Sequence, residues 1–264
     1  MYPYIEFLGR EIYTYPLMAA AGAIAAGVFA CRNARTYGKQ RQDDMIVLLL
    51  FSAVGAFIGG HLLYAVVSPQ SAAALSGIRS VRNAIGAAAS VFGGSVFYGG
   101  LAGGMAAGAL YLKLTRHGFT EYSDIAAPSI PLFHAFGRLG CFLGGCCYGA
   151  ESSVGFISRR ALIESANGVR RLPVQLIESA FLLLLCAVLT LLYRRDAVRG
   201  RLLYIYLVSY GVFRFVIEFW RGDEYRGIYL GLSTSQWISV FILAVCAAAL
   251  SGVPCRLRSR SSRI

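Results

Sequence analysis

Charged residues are scarce in this chain of 264 residues: they make up 14% of it, against 57% hydrophobic residues. A water-soluble fold of this length needs more polar surface than so few charges supply. The scarcity excludes an ordinary soluble domain, and the mean hydropathy of +0.60 agrees with that conclusion. We therefore interpret the chain as an integral membrane protein.

Acidic residues are the scarcer of the two signs, with 13 of them against 25 lysines and arginines, so the formal net charge is +12. Such a charge indicates a nucleic-acid-binding protein when it is concentrated in a patch. Here the basic residues are spread between apolar runs, as in the loops of a membrane protein. We expect no nucleic-acid partner.

Seven apolar runs approach the length of about 17–25 residues that a membrane-spanning helix needs. They are 12–31, 45–67, 91–112, 124–144, 174–193, 202–220 and 235–253. Pro128, Pro131 and Arg138 interrupt the fourth run. The predicted fold class is an all-α polytopic membrane protein with about seven transmembrane helices.

The predicted domain organisation is one transmembrane domain over residues 1–254, followed by a basic cytoplasmic tail at 255–264. Residues 68–90 are predicted to form an arm on the membrane surface. Residues 145–173 are predicted to form a small extracytoplasmic cap. Lysine and arginine are more frequent in the loops on the side of the C-terminus, which places the N-terminus outside and the C-terminus in the cytoplasm.

Small residues recur four apart within residues 92–110 and predict close helix packing. The glycine pairs beside Tyr98 could instead line a cavity, because irregular backbone at membrane depth is tolerated mainly there.

Ionisable side chains at the centre of a membrane helix cost about 2.5–3.5 kcal/mol or more, so each one suggests a function. The candidates are His61, His134, Arg138, Glu178, Arg214 and Glu218. Arg214 and Glu218 stand four residues apart and can pair on one helix face. We expect too few nearby carboxylates to neutralise both Arg138 and Arg214. Since arginine binds phosphate and carboxylate well, the two predict a site for an anionic phospholipid headgroup.

The cysteines Cys141, Cys146 and Cys147 lie in one short segment with the spacing CxxxxCC. Adjacent cysteines rarely ligate one zinc ion, and this spacing is no standard zinc pattern, so we predict no metal site. A metal or thiol-redox site, in which His134 could take part, and a disulfide or acyl-carrying role for one thiol are the alternatives. The simplest interpretation is a change of packing and polarity.

Four sequence blocks, in order, resemble those of the prolipoprotein diacylglyceryl transferase family. They are GGSVFYGGLAGG (93–104), HAFGRLGCFLGGCCYG (134–149), LPVQLIES (172–179) and YGVFRFVIEFWRGDE (210–224), of which the last is the most specific. TYPLM (14–18) resembles a first-helix tyrosine motif more loosely, and GAFIGGHLLY (55–64) resembles the second span of the family.

The resemblance implies that the diacylglyceryl group of phosphatidylglycerol is transferred to the thiol of the lipobox cysteine in a prolipoprotein signal peptide, with release of glycerol phosphate. It implies a bacterial inner (plasma) membrane location, contact with membrane lipid, and no metal or redox cofactor. The catalytic residues that it implies are Arg138, Arg214, Tyr98, Tyr210 and Glu218. The substrate-binding residues that it implies are Tyr15, Cys141, Cys146, Gly149, Arg221, Gly99 and Gly100.

Several motif positions depart from the family pattern. Tyr98 stands where the family has a histidine, and tyrosine, with a pKa of about 10, is a poor base. Cys141 replaces an asparagine, and Gly144 and Cys146 replace an asparagine and a glutamate. These departures leave three alternatives: a homologue with another acceptor or lipid donor, a thiol-redox protein using Cys141, Cys146 and Cys147, and a non-catalytic lipid-binding protein.

Overall fold

The computed structural model describes residues 1–7, 9–36, 39–68, 83, 86, 90, 97–222 and 228–251. Apart from Ser68 and three isolated residues, the predicted surface arm at 68–90 lies outside them. The predicted tail at 255–264 also lies outside them. Most of the described residues are helical.

Eight α-helices are present in the described part of the chain. They are α1 (Thr14–Arg35), α2 (Lys39–Val67), α3 (Phe97–Leu114), α4 (Phe119–Ala126), α5 (Ser129–Gly144), α6 (Val174–Arg194), α7 (Leu202–Ile217) and α8 (Thr234–Ser251). Two 3-10 helices, Glu164–Ala166 and Glu218–Trp220, are short.

Five helices, α1, α2, α6, α7 and α8, are long and apolar enough to cross a membrane. Large apolar side chains on them stay exposed in the protein, for example Val54 and Phe57 on α2 and Phe241 on α8. A soluble protein rarely exposes so much apolar surface, whereas a lipid environment favours it. The structure therefore agrees with a mostly helical polytopic membrane protein.

The third and fourth predicted spans correspond to α3 and α5, and that these two helices cross the membrane remains a prediction. The fourth run does not form one helix, because α4 ends at Ala126 and α5 begins at Ser129. Pro128 between them has no N–H to continue the hydrogen bonds of α4.

The chain divides into two compact units. The first contains Met1–Ala26 and Ala127–Ile264, and the second contains Gly27–Ala126, so that the division falls within α1. The single domain over residues 1–254 remains a prediction.

In the second unit, α2 and α3 approach each other through glycine. A methyl group added to Gly103 would lie 2.2 Å from the carbonyl oxygen of Gly55, and one added to Gly99 would lie 2.3 Å from that of Gly59. Both helices thus present glycines four residues apart, which lets the backbones of membrane helices come into contact. The close packing predicted for this segment is present at these glycines.

In the first unit, short antiparallel strands flank the helices. β1 (Tyr4–Phe7) pairs with β2 (Arg10–Tyr13), β3 (Glu151–Ile157) with β4 (Arg170–Arg171), and β5 (Ile228–Tyr229) with β6 (Leu232–Ser233). The first and third hairpins were not expected, because the strands are short and adjoin apolar runs that predict helices.

Residues 145–173 have a compact local structure. The guanidinium of Arg171 lies 4.5 Å from the ring centre of Tyr148, and the hydroxyls of Tyr148 and Ser165 are 2.8 Å apart. Asn167 accepts a hydrogen bond from the Ala161 N–H at 2.8 Å. That this segment is extracytoplasmic remains a prediction.

The glycine contacts predict that adding one methyl group lowers the stability of the protein only where the glycine packs against another helix. Gly103→Ala should lower the stability of the protein by about 1–3 kcal/mol, because the new methyl group meets backbone atoms of α2. Gly137→Ala on α5 is the control, since a methyl group there meets nothing within 4 Å. Thermal unfolding of both variants in the same detergent measures the difference, and equal stability of Gly103→Ala and the parent protein would contradict it.

Candidate active site

A buried ion pair joins α5 to α6. The Nε atom of Arg138 lies 2.9 Å from Oε1 of Glu178, and the two side chains are 16% and 1% exposed. The hydroxyl of Tyr210 on α7 donates to the same carboxylate oxygen at 2.8 Å. It also accepts a hydrogen bond from Nη2 of Arg138 at 3.5 Å. One carboxylate therefore connects three helices.

The first turns of α6 carry a polar face that fastens this helix to its neighbours. Besides Glu178, the buried Gln175 donates to the carbonyl oxygen of Cys146 at 2.8 Å. Ser179 donates to the carbonyl oxygen of Ala135 at 3.2 Å. Residues three and four apart share one helix face, so these contacts hold Glu178 at a set position.

A second ion pair lies at the end of α7. Arg214 Nη1 is 2.5 Å from Glu218 Oε2, and both residues are buried. Arg214 Nη2 also donates to the hydroxyl of Ser235, in the first turn of α8, at 2.9 Å. The pairing predicted from the four-residue spacing is confirmed.

The expectation that the two arginines lack nearby carboxylates is wrong. Glu178 neutralises Arg138, and Glu218 neutralises Arg214. The sequence identifies Glu178 as an ionisable residue in an apolar run, but it does not place this residue beside an arginine of another helix. The polar residues Gln175, Glu178 and Ser179 share one face of the otherwise apolar α6, and this pattern was the sequence feature that could have indicated a polar contact with another helix.

Tyr210 connects the two ion pairs. It contacts Arg138 and Glu178 directly and stands four residues before Arg214 on α7, which places it on the same helix face as Arg214. The His134 ring lies edge-on to Tyr210, with ring centres 4.6 Å apart, and its Nδ1 is 3.3 Å from the hydroxyl of Tyr206. The two ion pairs therefore belong to one polar cluster.

Tyr15 lies beside this cluster, in the first turn of α1. It packs on Gly140 of α5, where an added methyl group would lie 3.1 Å from the tyrosine ring. The Tyr15 side chain is about half exposed, and its hydroxyl is within electrostatic range of Cys141, Cys146 and Arg138.

Gly149 and Arg221 are adjacent, because they form a β-bridge. The backbone N–H of Ala150 donates to the carbonyl of Trp220 at 2.8 Å and strengthens this contact. A methyl group on Gly149 would lie 2.3 Å from the carbonyl oxygen of Leu172. Glycine is therefore needed here for backbone fit.

The end of α5 brings three cysteines together. Gly145 is left-handed, with a φ of 74°, and its N–H contacts the carbonyl of Phe142 while the Cys146 N–H donates to that of Cys141. This helix ending commonly brings the side chains at the positions of Cys141 and Cys146 into contact. Cys147, with a φ of 57°, continues the reversal, and the three Sγ atoms lie within 4.8 Å of one another.

Neighbouring groups favour the ionised form of the Cys147 thiol. Its pKa is lowered by interaction with the thiols of Cys141 and Cys146, and the charges of Arg221 and Arg138 favour the thiolate as well. The sequence argument against a metal site was the CxxxxCC spacing with its adjacent cysteines. The reversal at Gly145 and the left-handed backbone of Cys147 nevertheless bring all three Sγ atoms together, so the spacing is a poor guide here.

Three predicted site residues belong to the second unit. Gly99 and Gly100 lie on α3 and pack against the backbone of α2. The backbone of Tyr98 is part of the same helix, whereas its side chain lies outside the described structure. Roles for these three residues in substrate binding or catalysis remain predictions. His61, on α2, stacks edge-on with Phe57 at 4.5 Å.

The model of the prolipoprotein diacylglyceryl transferase family matches residues 3–251 of this chain. The chain belongs to this family. It is 32% identical over 242 residues to the phosphatidylglycerol–prolipoprotein diacylglyceryl transferase of Clostridium tetani, which covers 91% of this chain and 92% of the relative. It is 31% identical over 246 residues to the protein of that name from Geobacter sulfurreducens, with 91% of each chain covered.

The ion pairs and the cysteines differ in how they relate to the family pattern. Arg138, Arg214 and Glu218 occupy motif positions that resemble those of prolipoprotein diacylglyceryl transferases, and the structure brings them into one cluster with Tyr210. Cys141 and Cys146 of the three-cysteine cluster instead occupy positions at which this chain departs from the motif. Three further residues take part although the motif comparison did not identify them as site residues. Ser235 accepts a hydrogen bond from Arg214, Gln175 donates to the carbonyl oxygen of Cys146, and Cys147 is a member of the three-cysteine cluster.

The buried pair between Arg138 and Glu178 predicts a large loss of stability when one partner is removed. Glu178→Gln should cost about 3–5 kcal/mol, because it leaves a buried guanidinium without a counter-charge. Glu164→Gln is the matched control, since Glu164 is exposed. The free energy of unfolding in detergent measures both, and a Glu178→Gln variant as stable as the control would contradict the role of this pair.

Proposed function

We propose that this protein transfers the diacylglyceryl group of phosphatidylglycerol to the thiol of a prolipoprotein cysteine, in a bacterial plasma membrane. The observation that carries this proposal is that Tyr210 bonds to Arg138 and shares a face of α7 with Arg214, in a chain that belongs to the transferase family. Its partners are phosphatidylglycerol, the prolipoprotein signal peptide and the surrounding lipid.

The reaction requires positive charge at the leaving group. The bond between the glyceryl carbon and the phosphate oxygen breaks, a carbon–sulfur bond forms, and glycerol phosphate leaves as a thioether is made. Negative charge on the phosphate increases as the bond breaks, so cations already in place stabilise the transition state more than the bound lipid. We assign this role to Arg138 and Arg214.

The carboxylate partners hold the two arginines in position for this role. A guanidinium has five N–H donors in a planar fork, so each arginine keeps donors for phosphate beyond the bonds described above. Glu178 holds Arg138, while Glu218 and Ser235 hold Arg214. The one proton of the Tyr210 hydroxyl is donated to Glu178, so Tyr210 donates to a phosphate oxygen only when bound lipid displaces that bond. Glu218 acts as a positioning residue.

The helix ends that carry the site support its location at the outer leaflet. Tyr15, Glu178 and Ser235 lie in the first turns of α1, α6 and α8, whereas Cys141 and Arg214 lie in the last turns of α5 and α7. With the N-terminus outside and alternate helices antiparallel, all these ends face the extracytoplasmic side. There the lipid headgroup and a translocated signal peptide are both available.

Substitution of either arginine tests the proposed function. Arg138→Ala and Arg214→Ala should each lower the transfer rate at least about 100-fold, as expected when a preorganised electrostatic contact is lost. The assay uses purified protein in detergent, phosphatidylglycerol and a lipobox peptide, and mass spectrometry detects the diacylglyceryl adduct on the cysteine.

The matched control is Arg195→Ala, because Arg195 is exposed just after α6. Its transfer rate should equal that of the parent protein. Full activity in both site variants, or no adduct with the parent protein, would exclude the proposed function, whereas an adduct formed only with another phospholipid would change the donor.

A further inference from the structure

We propose that Cys141, Cys146 and Cys147 bind one Zn²⁺ ion whose fourth position takes the thiol of the acceptor cysteine. The metal thereby converts the acceptor thiol into a thiolate, which is the nucleophile of the transfer reaction. This inference rests on the proposed function and names the group that activates the acceptor.

The geometry of the three-cysteine cluster fits a zinc ion. With Zn–S bonds of about 2.3 Å, tetrahedral coordination separates the sulfur atoms by about 3.8 Å. The three Sγ atoms lie within 4.8 Å of one another, so small side-chain rotations are enough to reach these separations. The hydrogen bonds of Gly145 and Cys146 at the end of α5 hold the backbone of the cluster in place.

The number of ligands points to a catalytic type of site. Catalytic zinc ions have three protein ligands and keep the fourth position for water or substrate, whereas structural zinc ions have four protein ligands. No fourth His, Cys, Asp or Glu joins the cluster among the residues that the structure describes. His134 instead contacts Tyr206 and Tyr210.

The reaction needs a deprotonated acceptor thiol, and a zinc ion of this type supplies one. The acceptor thiol has an ordinary pKa of about 8.5 and must lose its proton to become a good nucleophile. Tyr98 stands where the family has a histidine, and tyrosine is a poor base at neutral pH. A thiol bound to a metal ion is deprotonated outright, so no separate base is needed.

The cluster lies next to the residues assigned to the phosphate. Cys141 follows Arg138 by three residues on α5, which places both on one helix face. The hydroxyl of Tyr15 is within electrostatic range of both residues. Zn²⁺ with three thiolates has a net charge of about −1, and the charges of Arg221 and Arg138 both act on Cys147.

The step is balanced without an oxidant or a reductant. The acceptor thiol binds zinc through sulfur, and its proton passes to water. The sulfur attacks the glyceryl carbon, and the electron pair of the broken carbon–oxygen bond leaves with glycerol phosphate. The thioether product is a weaker zinc ligand than the thiolate and can leave the metal.

Zinc binding is tested first, independently of transfer. The full chain, reduced and purified in detergent, should hold one zinc ion after excess metal is removed. Cys141→Ser, Cys146→Ser and Cys147→Ser should each bind zinc at least about 100-fold more weakly. Cys186→Ser is the matched control, because Cys186 lies on α6 and outside the cluster.

X-ray absorption at the zinc edge reports the ligands directly. The parent protein should show three sulfur ligands at about 2.3 Å and one lighter atom. A lipobox peptide should replace the lighter atom with a fourth sulfur, whereas the same peptide with serine in place of cysteine should not. Absence of stoichiometric zinc, binding of copper(I) without zinc, or no fourth sulfur would overturn the proposal.

Transfer activity then separates the two proposals. Removal of zinc from the parent protein with a chelator should slow transfer at least about 100-fold, and added zinc should restore it. Arg138→Ala should lose transfer but keep the metal. A zinc-free parent protein that transfers at full rate excludes the zinc role and leaves the proposed function intact. A zinc-loaded parent protein that forms no adduct excludes the proposed function.

Discussion

The need to pair every charge inside an apolar helix bundle is the constraint on which this structure depends. Arg214 is buried and the Arg138 side chain is only 16% exposed, and a lone guanidinium in such surroundings is costly. Glu178 and Glu218 neutralise them, while Tyr210 and Ser235 complete their hydrogen bonds. These contacts tie α5, α6, α7 and α8 together, so the positions of four helices and of the site are set by the same bonds.

The same pairing suits the two arginines to the role at the phosphate that we propose for them. An arginine held by a carboxylate has lost its side-chain freedom before the substrate arrives, so less free energy is needed to orient it during the reaction. The bonds among Arg138, Glu178 and Tyr210 also explain why helices far apart in the chain carry family motifs. The motifs at 134–149, 172–179 and 210–224 each supply one part of a single polar cluster.

The three cysteines distinguish this protein from the family motif. Two of them, Cys141 and Cys146, stand where the family motif has an amide and a carboxylate. Taken as separate substitutions they suggest a loss of polarity. Their meeting at the end of α5 instead forms one group of three thiols, on which the proposed zinc site rests, in a chain that has tyrosine in place of the family histidine.

The sequence by itself determined the membrane class, five of the apolar helices and the pairing of Arg214 with Glu218, because each depends on composition or on spacing along one helix. It also determined the family, because the motifs of that family are stretches of consecutive residues. Only the tertiary structure decided that Glu178 neutralises Arg138, because that bond joins two helices whose relative position no local pattern encodes. It also decided that the cysteines form a cluster. A left-handed glycine at position 145 turns the chain back on itself, and the resulting separation of side chains is not visible in their spacing along the chain.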